Sequence, residues 1–263
     1  MKEKKLKILV IGECCTDTFI YCEVNRLSPE APVPVLNPVK TTTNSGMAGN
    51  VYENVCALDE YADVSLIYQD NDIIKTRYVD VKSNHMFLRV DTGEDKIDKF
   101  TWNPEVETLI KGMDVVIVSD YNKGFLNNTD LWNIGHLAKL SVLDTKRKLT
   151  PDIANKFSFI KLNESESKNN KHLDPKNIII TLGSKGAYFN GELVPQTNPQ
   201  QTIDVSGAGD TFVAAFTLCF LDTLEVFHSI EYANEMLALS DEILELDWMR
   251  RFSEQNLLQL YLS

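Results

Sequence analysis

Short, unbroken apolar runs recur along this chain. Lys7-Ile8-Leu9-Val10-Ile11-Gly12 is the first, and its end in glycine suits a strand buried on both faces. Phe19–Val24 reads as a second extended stretch. Pro29, Pro32 and Pro34 then forbid a helix and suit an edge or lid strand whose N–H groups face solvent. Asn44–Asn50 reads as a small-residue loop feeding a helix from about Val51 to Leu58, and Asp63–Tyr68 as another strand. Thr76–Val81 and Met86–Asp91 alternate and are joined by Lys82-Ser83-Asn84, which predicts a hairpin. With 19–24 and 32–39 it predicts a small antiparallel lid, its segments at about 17–39 and 75–92.

From Asp114 the pattern becomes regular. Strands are expected at 114–119, 140–144, 157–160 and 177–182, with helices near 129–138 and 150–155. Helices near 207–221, 224–238 and 241–260 follow. Strands alternating with helices imply an α/β fold: a doubly wound, mostly parallel sheet flanked by helices, with right-handed crossovers. The 263 residues suffice for a single domain spanning 1–263.

Composition narrows the function classes. A net charge of −12 argues against a nucleic-acid footprint or an anionic-membrane surface. The charged start Met1–Lys5 leads only into the apolar Ile8–Ile11, which is a strand and not a signal peptide. No segment approaches the ~20 apolar residues that span a membrane, so a cytoplasmic protein is expected. Cys14, Cys15, Cys22, Cys56 and Cys219 form no C-x-x-C pair and read as reduced, mostly buried thiols.

The most informative stretch is Asp204-Val205-Ser206-Gly207-Ala208-Gly209-Asp210-Thr211, which opens into the apolar Phe212–Phe216. A small-residue loop at a helix start points the N–H groups of Gly207, Ala208 and Gly209 at an incoming anion. Asp210 beside it can take a proton from a hydroxyl, so the stretch holds an anion hole and a base for phosphoryl transfer. The alternative is a glycine turn whose aspartate caps a buried helix.

The run Asp-x-x-Gly-Ala-Gly-Asp-Thr-x-x-Ala-Ala resembles the C-terminal signature of the ribokinase-like carbohydrate kinases, the phosphofructokinase-B group. The resemblance implies a ribokinase-like fold, ATP as co-substrate, Asp210 as catalytic base and Asp204 near a monovalent-cation (K⁺) site. Gly46, Gly49 and Asn50 resemble the sugar-holding N-terminal signature, and Asp17 matches the aspartate that binds sugar hydroxyls, though it also suits a surface turn.

In open α/β sheets ligands bind beyond the carboxyl ends of the strands. Ser119–Gly124, Asp144–Lys146, Asn163–Glu166 and Thr181–Gly186 all lie at such ends. On spacing alone Asn163 and Glu166 make a helix N-cap with a capping-box glutamate. The resemblance turns Asn-x-x-Glu into a motif organising magnesium and phosphate water. It likewise makes Thr181, Gly183, Ser184 and Gly186 a nucleotide-phosphate loop and sets Asn234 beside the adenine. Mg²⁺ is expected independently, because a transferring γ-phosphoryl group needs its charge neutralised.

A narrower resemblance is to the kinase part of bacterial heptose-phosphate kinase/adenylyltransferases. It rests on Val24–Val35, Lys75-Thr76-Arg77 with Leu88–Asp91, Ser119–Gly124 and Leu143–Lys146. It runs from about 7 to 240 with a gap near 69–74, which implies a thinner sheet edge. It implies phosphorylation of the anomeric hydroxyl of a heptose 7-phosphate, with Asp120 in the substrate site and an adenylyltransferase as a separate partner. Arg26, Arg77, Arg89 and Lys123 are candidate grips on a substrate phosphate, or equally solvated lid charges. Exposed lid strands favour pairing into a homodimer. The rival readings are a kinase for another sugar and a catalytically silent sugar- or nucleotide-binding relative. A NAD-binding domain is disfavoured, since Gly12-Glu13-Cys14-Cys15 stands where G-x-G-x-x-G would.

Overall fold

The computed structural model describes residues 5–196 and 207–237. The first half of the chain forms β1 (Lys7–Gly12), β2 (Cys14–Leu27), β3 (Pro34–Met47), α1 (Ala48–Leu58), β4 (Asp63–Ile67), β5 (Ile74–Asp80), β6 (Met86–Thr92) and α2 (Pro104–Gly112). The second forms β7 (Val115–Asp120), α3 (Asn128–Leu137), β8 (Ser141–Thr145), α4 (Pro151–Ala154), β9 (Phe159–Asn163) and α5 (Glu164–Asn169). It closes with β10 (Ile178–Thr181), β11 (Ala187–Phe189), β12 (Glu192–Val194), α6 (Ala208–Thr223) and a helical run over 226–237.

Eight strands make one sheet in the order β12-β11-β10-β9-β8-β7-β1-β4, parallel from β10 to β4. The unbroken apolar runs have a simple cause: the pleat sends alternate residues to opposite faces, and both faces are covered. Ile8 and Val10 pack with Val51 and Val55 of α1 and Phe212 and Phe216 of α6. Leu9 and Ile11 pack on the other face with Ile110 of α2 and Leu131 and Ile134 of α3. Full burial of each such side chain stabilises the fold by about 1.5–3 kcal/mol. Because the strands are parallel, the loops after β1, β7, β8, β9 and β10 leave from one edge, where the chemistry collects.

A second, four-stranded sheet has the order β3-β2-β5-β6. Its antiparallel pairs β2–β3 and β5–β6 are joined by a parallel pairing of β2 with β5. The proline-rich β3 lies at its edge, as its missing donors require. Near 69–74, where a thinner sheet edge was expected, β4 is the outermost strand of the large sheet and 68–73 carries neither helix nor strand.

The structure corrects the reading of Asn44–Asn50 as a loop. β3 continues to Met47, pairing Asn44 with Asp17 and Gly46 with Cys15, and α1 begins at Ala48. The long-range ladder overrides the local bias of small residues toward a turn. Gly46 lies in the strand because a Cβ there would collide with the Asp17 carboxylate and the Cys15 thiol.

Two elements escaped the sequence reading although their signals were present. α2 has Asn103 as N-cap accepting from Val106 N–H, Pro104 at its start and acids in its first turn. The β11–β12 hairpin turns on Asn190-Gly191, both with positive φ (48° and 90°). The helix expected at 241–260 and the cation-site candidate Asp204 lie outside the described residues.

Candidate active site

Asp210 occupies the first turn of α6, where Gly207 forms the N-cap with φ 90° and its carbonyl accepts from Asp210 and Thr211 N–H at 2.9 and 3.0 Å. A Cβ on Gly207 would be strained at that φ and would lie 2.7 Å from the Asn50 amide. The Ala208 and Gly209 N–H groups stand in the first turn, which has no intrahelical acceptor for them.

The Asp210 carboxylate is only 3% exposed. Asn50 Nδ2 donates to Oδ2 at 2.9 Å, and the Tyr121 hydroxyl donates to Oδ1 at 3.2 Å. Burial pushes its pKa up to about 6, Asn50 pulls it back, and the Asp144 charge pushes it further up. A carboxylate held by neutral donors near the operating pH suits a general base.

Beneath Gly209 lies a buried ion pair, with Lys161 Nζ 3.0 Å from Asp144 Oδ2. A Cβ on Gly209 would sit 2.6 Å from that ammonium, so glycine lets the pair approach the helix start. Burial draws the Lys161 pKa down, but Asp144 holds it above the ordinary lysine value.

The loop after β7 is organised by Glu13, which is fully buried at the end of β1. Its carboxylate accepts from the N–H groups of Tyr121 (2.9 Å), Lys123 (2.9 Å) and Phe125 (3.3 Å). Burial, then the charge of Asp120, raises its pKa, while the backbone donors oppose the rise. Glu13 thereby sets the position of Tyr121 against Asp210. Lys146 Nζ lies 3.8 Å and Lys75 Nζ 5.5 Å from the Tyr121 ring centroid.

Two groups of the candidates named from sequence come together. Asn50, Gly207, Ala208, Gly209 and Asp210 come together at the start of α6. Asp17 and Arg77 form an ion pair across β2 and β5, with Arg77 also 5.0 Å from the Phe19 ring centroid. Gly46 and Gly49 pack behind them, against Asp17 and Ser45 respectively.

Asp120, expected in the substrate site, is engaged within the protein. It is 1% exposed and accepts from Arg147 Nε (2.6 Å) and Nη2 (3.0 Å), from the Thr145 hydroxyl (2.6 Å) and from Asn122 N–H. Its oxygens are consumed inside the protein because β7 and β8 bring Thr145 and Arg147 alongside. Lys123 is spent on Glu94 at 2.6 Å. Asn163 and Glu166 form the capping box in full: Asn163 Oδ1 accepts from Glu166 N–H at 2.9 Å, and Glu166 Oε2 from Asn163 N–H at 2.7 Å.

Thr181 ends β10, and Gly183 and Ser184 lie exposed in the tight turn that follows. Gly186 is a packing position, buried against the carbonyl of Val194. Asn234 is 2% exposed and donates to the Val194 carbonyl at 3.2 Å, which ties the last helical run to β12 and occupies its amide. A polar cavity of about 340 Å³ is lined by Thr16, Thr43, Asn44, Ser45 and Glu53, next to Asp17 and Gly49.

Glu13, Tyr121 and Lys161 were not foreseen as site residues. Two carried a signal: Glu13 as an acid directly after a buried strand, and Tyr121 as part of the strand-end loop Ser119–Gly124. All five cysteines are free; Cys15 and Cys22 are buried and the others half-buried. Among the described residues no helix is long and apolar enough to cross a membrane.

Residues 144–240 match the model of the pfkB family carbohydrate kinases. The chain is 29% identical over 287 residues to the bifunctional protein HldE of Campylobacter jejuni, covering 91% of this chain and 62% of that protein. To the bifunctional protein HldE of Helicobacter pylori it is 30% identical, covering 89% and 62%. The chain thus spans 62% of the length of these relatives. A ribokinase from Thermotoga maritima superimposes with a TM-score of 0.66 at 14% identity, over 90% of this chain and 93% of that one. An Arabidopsis thaliana ribokinase complexed with ribose and ATP gives 0.64 at 13% identity, over 91% and 93%. The fold is ribokinase-like.

Proposed function

We propose that this chain, a ribokinase-like carbohydrate kinase of the pfkB family, transfers the γ-phosphoryl group of ATP to the anomeric hydroxyl of a heptose 7-phosphate. The observation that carries the reaction type is Asp210 at the start of α6, buried, held by neutral donors and next to the first-turn N–H groups of Ala208 and Gly209, which have no acceptor within the helix. Asp210 takes the proton of the sugar hydroxyl as its oxygen bonds to the γ-phosphorus. The bond from that phosphorus to the bridging oxygen breaks, and ADP leaves with the electron pair. Gly207, Ala208 and Gly209 stabilise charge on the group in transit.

The heptose assignment rests on the stretches 24–35, 75–77, 88–91, 119–124 and 143–146, and accords with the similarity to the bifunctional HldE proteins. The resemblance gives Asp17, Gly46, Gly49, Asn50 and Arg77 the sugar, and Thr181, Gly183 and Ser184 the nucleotide phosphates. Asn163 and Asn234 are assigned to the nucleotide on the same ground, although each amide also serves the fold.

Mg²⁺ would neutralise the phosphates. Among the described residues no cluster of three acidic or metal-ligating side chains forms a cage. Mg²⁺ in kinase sites is commonly held by one or two carboxylates, water and substrate phosphate. The resemblance assigns Glu166 as a water-mediated ligand; its Oε2 accepts from the Asn163 N–H, and Asp144 lies near enough for its charge to act on it. Potassium near Asp204, a cytoplasmic location, one domain over 1–263 and an adenylyltransferase partner complete the reading. A homodimer through the lid is supported by Leu27, Val33, Val39, Met86 and Leu88, each about half exposed or more on its strands and their connections.

The test is ADP release from Mg-ATP across a panel of sugars and sugar phosphates that includes heptose 7-phosphate. Turnover dependent on that sugar supports the proposal. Turnover with another sugar alone keeps the kinase and replaces the substrate. ATP binding without stimulation by any sugar leaves a silent binding protein.

A further inference from the structure

We propose that Lys75 and Lys146 form a phosphate subsite around Tyr121, at the seam between the lid sheet and the large sheet. The inference rests on the kinase reading above and names a part of that site.

The argument begins with which cations are already paired. Arg77 pairs with Asp17, Arg89 with Asp91 at 2.8 Å, and Lys123 with Glu94 at 2.6 Å. Lys161 pairs with Asp144, and Arg147 with Asp120. Among the described residues neither Lys75 nor Lys146 has a carboxylate within ion-pair distance. The charges first suspected of gripping a phosphate are therefore mostly engaged, and two others stand open.

Lys75 comes from β5 of the lid and is only 7% exposed, with the Cys15 thiol as neighbour. The thiol and the Tyr121 ring are weak partners for an ammonium, and Asp91 stands opposite it on β6 beyond ion-pair distance. Lys146 follows β8 of the large sheet. Although its residue is exposed as a whole, its ammonium lies 3.8 Å from the Tyr121 centroid. Its pKa is lowered, first by lost hydration there and next by the like charge of Lys75.

Two like charges from separate sheets thus converge on one ring, whose hydroxyl touches the base Asp210. A dianion with several acceptor oxygens satisfies both. A phosphate does so in any rotational setting, because an ammonium is a point charge with three donors. Bound there, it also ties the lid to the large sheet. The phosphate has two possible sources, the acceptor sugar's own phosphate or the group in transit from ATP.

The experiment titrates inorganic phosphate calorimetrically into wild type, Lys75→Met, Lys146→Met and the double variant, with circular dichroism as the check on folding. In parallel, kcat and KM are measured with phosphorylated and unphosphorylated sugars. Each single variant is expected to weaken phosphate binding roughly ten- to a hundredfold, the range for one charge-assisted hydrogen bond. Lys→Arg at either position should restore part of it.

A KM rise confined to the phosphorylated sugar assigns the subsite to the acceptor. A fall in kcat with both sugars at unchanged KM assigns it to the group in transit. Phosphate affinity and kinetics equal to wild type in the double variant would overturn the proposal. If no sugar turns over, the phosphate titration alone decides it, so failure of the kinase reading stays distinguishable. If a Met variant unfolds, Lys75→Gln and Lys146→Gln carry the same comparison.

Discussion

Asp120 and Asp210 are both buried carboxylates near Tyr121, 1% and 3% exposed, yet their surroundings oppose each other. Asp120 meets a guanidinium through both oxygens, with a hydroxyl and a backbone N–H completing its shell. Among the described residues Asp210 accepts hydrogen bonds from an amide and a phenol, with the Lys161 charge acting from beyond ion-pair distance. The guanidinium compensates the first charge and locks it into the architecture. The neutral donors leave the second with a pKa raised to about 6, free to exchange a proton. Burial makes a carboxylate costly; the charge of its partners decides whether that cost becomes structure or chemistry.

The sharpest way to break this comparison is to exchange the effects of the two sites. Asp210→Asn should lower kcat by about 10²- to 10⁴-fold, the span for a general base, and should leave the unfolding midpoint no lower than in wild type. ADP release and thermal melts on the same samples report both. If Asp210→Asn instead unfolded the protein with its turnover per folded molecule intact, the roles would be reversed.

Arg147→Met should do the opposite. It leaves Asp120 buried without its counter-charge, and a loss of about 3–5 kcal/mol in urea unfolding is expected. A change below about 1 kcal/mol would mean that the pair is solvated and of the surface kind.

Proton linkage sharpens the contrast further. The folded pKa of Asp210, about 6, lies above its ordinary 3.8. The protonated side chain is therefore favoured by folding. This stabilisation is fully present below pH 3.8 and is lost as pH rises through about 6, a difference of roughly 3 kcal/mol. Asp210→Asn should flatten that part of the stability–pH curve. Activity runs the other way, since the base must be ionised: kcat/KM should rise through about pH 6 and level off above it.

The smallest effect belongs to Tyr121→Phe. Its hydroxyl holds the Asp210 pKa down, so the acidic limb of the rate profile should move to higher pH. The plateau should change only a few-fold, in keeping with about 1 kcal/mol for one neutral hydrogen bond. An unmoved limb would detach Tyr121 from the base.

Much of this was legible in the chain. The apolar run Lys7–Gly12 and its successors specify strands buried on both faces, because a fully apolar run can settle only where both faces are covered. Gly207–Asp210 announces a glycine-led helix start, because the effect comes from local backbone geometry. Asn163 and Glu166 announce a capping box for the same reason: their partners lie within three residues.

Other features depended on residues far apart. Asn50 reaches Asp210 across 160 positions, and Glu13 holds Tyr121 across 108. The ladder between β2 and β3 turned an expected loop into strand, and Asp17, Glu94 and Arg147 claimed groups that in isolation looked available to a ligand. The sequence by itself determined the layered sheet, the glycine-led start of α6 and the placing of Asp210 in its first turn, since each arises from periodicity or from neighbours in the chain. Only the tertiary structure decided which charges stay open. A buried ionic group is taken by whichever partner the fold brings within reach, and that partner's place in the chain carries no local mark.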